Sequence, residues 1–216
     1  MNVGRRYLAL AAVLTVLMLV VFPLAGCLEA VAPTDGNGGG DVAADLQAEL
    51  QGRIAYVRNN AAGLASSIHD LINEERVKAG LDRLQWDQAL ANIALSHSTD
   101  MGLRDYFDHI SPEGQEFGAR YEEHGYHKNT RIGDRIYLGG ENLTLTNVVR
   151  SYTYDQETGE VLEYKYSELA ELADSTVQGW MGSPGHRENI LTPFTREGIG
   201  VYVTDEGEIY ITENFS

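Results

Sequence analysis

The chain has 216 residues, 43% hydrophobic and 22% charged, which allows one domain of ordinary size with short tails. Its formal charge is −16; a surface that acidic repels nucleic-acid phosphates and anionic headgroups, which excludes a nucleic-acid partner and is compatible with solubility at high salt. A lone cysteine, Cys27, excludes an intramolecular disulfide and a Cys-based zinc framework, so the fold must stand on its core.

Arg5 and Arg6 precede an apolar stretch over residues 7–26, broken only by Thr15 and Pro23. Beyond it, 14 basic groups face 32 acidic ones, a charge of −18. The stretch is long enough to cross a bilayer, but a basic start and an apolar run also describe a secretory signal. Its end, Leu24-Ala25-Gly26-Cys27, resembles the lipobox of prokaryotic lipoproteins, in which the thiol is acylated before cleavage. Residues 1–26 therefore read as a signal peptide and Cys27 as the lipidation site. Arg5-Arg6-Tyr7-Leu8 also looks like a twin-arginine export signal, which leaves the Tat and Sec routes both open. Residues 27–41 contain Gly36-Asn37-Gly38-Gly39-Gly40, have little apolar side chain to bury and read as a tether. The expected location is the outer face of the membrane, held there by lipid on Cys27.

Residues 42–63 form an accessory helix or stalk, with Leu46, Leu50, Ile54 and Val57 at helical spacing and Gly63 as its expected break. A helix over 67–79 carries Ile68, Leu71 and Ile72, with Gly80 suited to its C-terminal end. Asp87 is placed to cap the next helix, which shows Leu90, Ile93, Ala94, His97 and Met101 on one face. A third helix is expected over 113–125, with Phe117 and Tyr121 at i, i+4, and a fourth over 169–181, followed by a helical turn opened by Pro184. Residues 199–203 and 208–212 alternate around Asp205-Glu206-Gly207 as a hairpin, and 152–166 alternates around Thr158-Gly159 as an inserted one. Helices first and antiparallel strands last give an α+β layered domain.

Five segments stand out in order: Asn73-Glu74-Glu75-Arg76 with Gly80, Leu84 and Trp86-Asp87; Phe107-Asp108-His109-Ile110-Ser111-Pro112; Gly140-Glu141-Asn142-Leu143; Trp180 with the run from Ser183-Pro184-Gly185-His186 to Leu191; and Gly198-Ile199-Gly200-Val201. Together they resemble the CAP superfamily of cysteine-rich secretory, antigen 5 and pathogenesis-related-1 proteins, in its prokaryotic form. The resemblance places an SCP-like domain at 64–216 and implies a three-layer α-β-α sandwich with an open cleft. In many members that cleft holds two histidines and two acids, and in some a divalent metal such as zinc. Matched residue by residue, His109 and His186 are the imidazoles and Glu141 one carboxylate. The second carboxylate has no match; Ser183 stands about there, and a helix cap explains it better than a nucleophile.

Two imidazoles and a carboxylate suit zinc, with a position left for water. There is no HExxH helix, and Glu141 reads equally well as a buried acid holding its loop. His97 is expected to be packed, His69, His124 and His127 solvated, and Trp86, Trp180, Tyr106 and Phe107 to be core aromatics. Asn142 and Asn214 open glycosylation sequons, but Asn142, inside the Gly-Glu-Asn match, is expected to be buried. Three functions stay open: a binding module for a lipid, glycan or surface-protein ligand; a divalent-metal-dependent, peptidase-like hydrolase using the same cleft; and a structural or stress-related surface protein. No residue is assigned a catalytic role.

Overall fold

The computed structural model describes residues 39–216; the signal, most of the tether and Cys27 lie outside the described residues. The elements run α1 (Gly39–Asn59), α2 (Ala61–Lys78), β1 (Gln85–Trp86), α3 (Gln88–Arg104), α4 (Phe117–Glu123), β2 (Thr130–Ile132), β3 (Arg135–Tyr137) and β4 (Gly140–Asn147). Then come β5 (Val149–Tyr154), β6 (Val161–Tyr166), α5 (Leu169–Gly182), α6 (Pro184–Leu191), β7 (Arg196–Val203) and β8 (Glu208–Phe215). Among the described helices none is long and apolar enough to cross a membrane.

The main sheet has the order β1-β7-β8-β4, with β1 parallel to β7 and the other pairs antiparallel. Side chains alternate across a strand, so each strand serves two layers. Along β7, Ile199, Val201 and Val203 enter the main core with Ile54 and Val57 of α1, Ile68 and Ile72 of α2, and Leu172, Val177 and Trp180 of α5. Gly198 and Gly200 face the other way, where the backbone of α3 lies directly on the sheet. The result is the expected α-β-α sandwich. The two remaining ribbons, β2–β3 and β5–β6, are separate two-stranded sheets.

Local chemistry explains most boundaries and three departures. The first helix ends at Asn59 rather than at Gly63: the Asn60 amide donates to the Tyr56 carbonyl, and Gly63 falls within the first turn of α2. Helix α4 is shorter than the expected 113–125 because the Ser111 hydroxyl accepts from the N–H groups of Glu113 and Gln115, and Gly114 turns the chain at φ +86°. Trp86 and Phe107 are not core residues, being 38% and 46% exposed, whereas Trp180 is buried and donates to the Leu143 carbonyl.

Asp87 caps α3 as expected, one carboxylate oxygen accepting from the N–H groups of Ala89 and Leu90 at 3.0 and 3.4 Å. The other oxygen accepts from Lys128 at 2.8 Å and from the Tyr126 hydroxyl at 3.2 Å. Asp87→Ala is expected to lower stability by about 1–2 kcal/mol, the upper end of a lost cap. Asp87→Asn keeps the cap and is expected to cost less, which urea denaturation of the pair measures.

Candidate functional site

Because β4 alternates, Glu141 faces the α3–α4 side of the sheet and Asn142 the opposite side. The Glu141 side chain is 1% exposed and fully engaged. Arg120, from α4, donates one Nη2 to both carboxylate oxygens, at 2.9 and 2.7 Å. The same guanidinium donates to the carbonyls of His109 and Gln115, at 3.0 and 2.8 Å, and so fixes the loop that carries the histidine. His109 Nδ1 donates to Glu141 at 2.9 Å. That bond directs Nε2 away from the carboxylate, on a side chain 50% exposed.

Two further groups close the pocket behind Glu141. His97 of α3 is buried; its Nε2 donates to the Asp108 carbonyl at 3.1 Å and stands 3.9 Å from Glu141. Burial pushes the His97 imidazole below its ordinary value, against the pull of Glu141, so His97 is neutral at pH 7. Asn214, opposite Glu141 on β8, satisfies both ends of its amide when its nitrogen donates to Glu141 at 3.3 Å and its oxygen accepts from the Ala94 N–H at 3.2 Å. Asn214 is completely buried, which closes it to glycosylation, and Asn142 is equally buried.

His186 lies in the first turn of α6. Burial, and after it the His109 ring, push its imidazole below the ordinary value. Asn142 Nδ2 donates to the His186 carbonyl at 3.2 Å, and Asn189 Nδ2 donates to the Glu141 carbonyl at 3.1 Å and to the Asn142 side chain at 2.8 Å. Asn142 and Asn189 thus sew α6 to β4. Ser183 stands at the junction of α5 and α6, its hydroxyl making no cap bond.

The structure puts His109 against Glu141 and ties the His186 backbone, through Asn142, to the strand that carries Glu141. Arg120, His97 and Asn214 join them without having been singled out as site residues in the sequence. A guanidinium, rather than a second carboxylate, faces Glu141. This donor set does not fit a three-ligand zinc centre, because Glu141 has both oxygens committed to Arg120 and His109 and is closed off from solvent. Among the described residues no group of three or more His, Cys, Asp or Glu side chains is arranged to hold a metal ion. A cavity of about 330 Å³ opens at the α5–α6 junction between Met181, Pro184 and Leu191, and none of His109, Glu141 and His186 lines it.

The sequence matches the CAP family, described as the cysteine-rich secretory protein family, over residues 69–215. The chain belongs to this family. Two curated relatives come from Bacillus subtilis. The uncharacterized membrane protein YlbC is 32% identical over 149 residues, which are 68% of this chain and 33% of YlbC. The uncharacterized protein YkwD is 31% identical over 173 residues, 80% of this chain and 54% of YkwD. The chain thus spans a third to about half of the length of these relatives. Among solved structures, an extracellular protein containing an SCP domain from Bacillus anthracis superposes with a TM-score of 0.50 at 30% identity, over 72% of this chain and 40% of that one.

Proposed function

We propose that this CAP protein is an extracellular, surface-anchored binding module whose ligand site is the cleft between His109 and His186. The observation that carries the reading is the Glu141–Arg120 pair. It consumes the Glu141 carboxylate behind His109 and leaves His109 as a fixed, outward-facing hydrogen-bonding group. Near His109 in the chain, Phe107 and Ile110 are 46% and 45% exposed, with the exposed Asp108 between them, and Leu138, just before β4, is 57% exposed. A polar anchor next to exposed apolar side chains suits an amphipathic ligand, so a lipid is favoured over a glycan or a surface protein. The extracellular SCP-domain protein of Bacillus anthracis supports the location, and the lipobox supports Cys27 as the anchor.

Full-length protein is expected to retain a labelled zwitterionic or sterol lipid, with His109→Ala weakening retention roughly 10-fold or more, the loss of one hydrogen bond to a polar head. Equal retention by wild type and His109→Ala would remove the cleft from the reading. Cys27→Ala protein that still sediments with membranes would remove the lipid anchor.

One observation favours the alternative, hydrolytic reading. A carboxylate holding Nδ1 of a half-exposed histidine leaves Nε2 free, which is the arrangement of a general base. Peptide hydrolysis by the purified protein, abolished in His109→Ala, would select it.

A further inference from the structure

On the side of the sheet opposite His109 lies a second group of ionisable side chains. Glu197 of β7 and Glu213 of β8 are both completely buried. They are diagonal neighbours on one face, since Glu213 pairs with Ile199 and Glu197 with Phe215. One oxygen of each has a partner: Glu197 Oε1 is bonded to His69 Nδ1 of α2, and Glu213 Oε2 accepts from Asn142 Nδ2 at 2.9 Å. The other oxygens, Glu197 Oε2 and Glu213 Oε1, are buried and accept from no donor. Two ionised carboxylates cannot satisfy each other; a carboxyl and a carboxylate can, through one hydrogen.

Charge counting reaches the same answer. The buried cation facing this pair is Arg76 of α2, whose guanidinium donates to the carbonyls of Asp82, Ile190, Thr192 and Phe194 and not to either acid. One positive charge is balanced by one negative charge on the pair and left overdrawn by two. The other groups against the pair are His69 and Asn73 from α2, Asn142 from β4 and, beyond it, Asn189 from α6; Asp82 lies beside Arg76.

We propose that Glu197 and Glu213 hold a single proton between them in the native fold, and that this shared proton is a pH-sensitive clasp joining β7 and β8 to α2 and, through Asn142, to the α6 segment that carries His186. The direction of titration agrees: burial, then the neighbouring Glu197 charge, hold the Glu213 carboxyl well above the usual carboxylate range. A group whose native pKa lies above its unfolded one contributes stability that is complete below the unfolded value, about 4.3, and lost as pH rises through the native value. The clasp is therefore closed in acid and weakens toward alkaline pH. Sequence alone expected His69 to be solvated; its side chain is 17% exposed and belongs to this cluster.

The test compares full-length wild type with Glu213→Gln and Glu197→Gln. Glutamine at 213 keeps an oxygen for Asn142 and supplies a permanent N–H to Glu197 in place of the shared hydrogen. Infrared difference spectra at pH 7 are expected to show a protonated-carboxyl C=O stretch in wild type that either substitution removes. The Tm of Glu213→Gln minus that of wild type is expected to grow from pH 5 to pH 9 by several degrees, the size of a shift of roughly 1–2 kcal/mol in a domain this large. The buried imidazole of His97 and the partly exposed one of His186 titrate alike in both proteins and cancel in that difference. Parallel Tm curves across this range would overturn the proposal. So would a wild-type spectrum without the protonated band, a measurement that needs no variant to fold. Separate bands removed one by each substitution would mean two protons and overturn it equally.

Discussion

Replacing Arg120 by alanine is expected to destabilise the CAP domain by about 3–5 kcal/mol, because the substitution leaves the Glu141 charge buried and without its cation. Few single changes reach that size, and the mechanism is specific. Glu141 is 1% exposed, Arg120 is 5% exposed, and the two share a pair of bonds at 2.7 and 2.9 Å. Water cannot replace the guanidinium without opening the α3–α4 side of the sheet. The loss also frees the carbonyls of His109 and Gln115, so the histidine loop loosens along with the carboxylate. Glu141→Gln in the Arg120→Ala background is expected to recover a large part of the loss, since it removes the stranded charge while keeping an acceptor for His109. Urea denaturation of the two single variants and the double variant gives the coupling directly. If Arg120→Ala costs no more than an exposed pair, about 0–1 kcal/mol, Glu141 is not held in the way described.

The same geometry explains how far the sequence could be read. Periodicity placed α3, α5 and the β7–β8 hairpin within a residue or a few, because their buried positions recur at one clear spacing and Asp87 and Pro184 mark the starts of α3 and α6. Strand β4 was legible only as the Gly-Glu-Asn motif. Its Glu141 and Asn142 are buried polar residues on opposite faces, so the apolar alternation that announces a strand is missing. His109, Glu141 and His186 came through resemblance, and the bond between His109 and Glu141 joins a loop to a strand 32 positions away. Arg120 was invisible as a site residue for a physical reason: a lone arginine at the middle of a short helix reads as a solvated face, and only the fold turns it onto Glu141. His69 misled in the same way. It lies beside exposed Asp70 on α2, and nothing local signals that Glu197, 128 positions away, waits beneath the helix. Long-range pairing of ionisable groups has no periodic signature, so the site's electrostatics arise from the fold and not from local sequence.

Gly200→Ala is expected to be more damaging still, costing roughly 4 kcal/mol or more, with most of the protein recovered unfolded or aggregated. A Cβ at this position would lie 2.0 Å from the Leu95 nitrogen and 2.3 Å from its Cα, contacts with backbone that no rotamer can relieve. Gly198 is under the same constraint, 2.1 Å from the Ala91 nitrogen, so α3 rests on two bare stretches of β7. Ser98 fastens the contact, its hydroxyl donating to the Gly200 carbonyl at 3.0 Å and to Thr212 at 2.8 Å. Lifting α3 far enough to admit a methyl group would break those bonds. It would also withdraw His97 from behind Glu141 and the Ala94 N–H from Asn214, so damage at a glycine in the sheet reaches the cleft. Gly63→Ala supplies the contrast: a Cβ there meets nothing within 4 Å and the residue sits in α2, so the change is expected to raise stability by roughly 0.5–1 kcal/mol. Thermal unfolding of the two variants separates close approach from helix propensity. A Gly200→Ala protein that melts near wild type would mean that α3 is not seated on the sheet as described, and the placement of His97 and Asn214 behind Glu141 would fall with it.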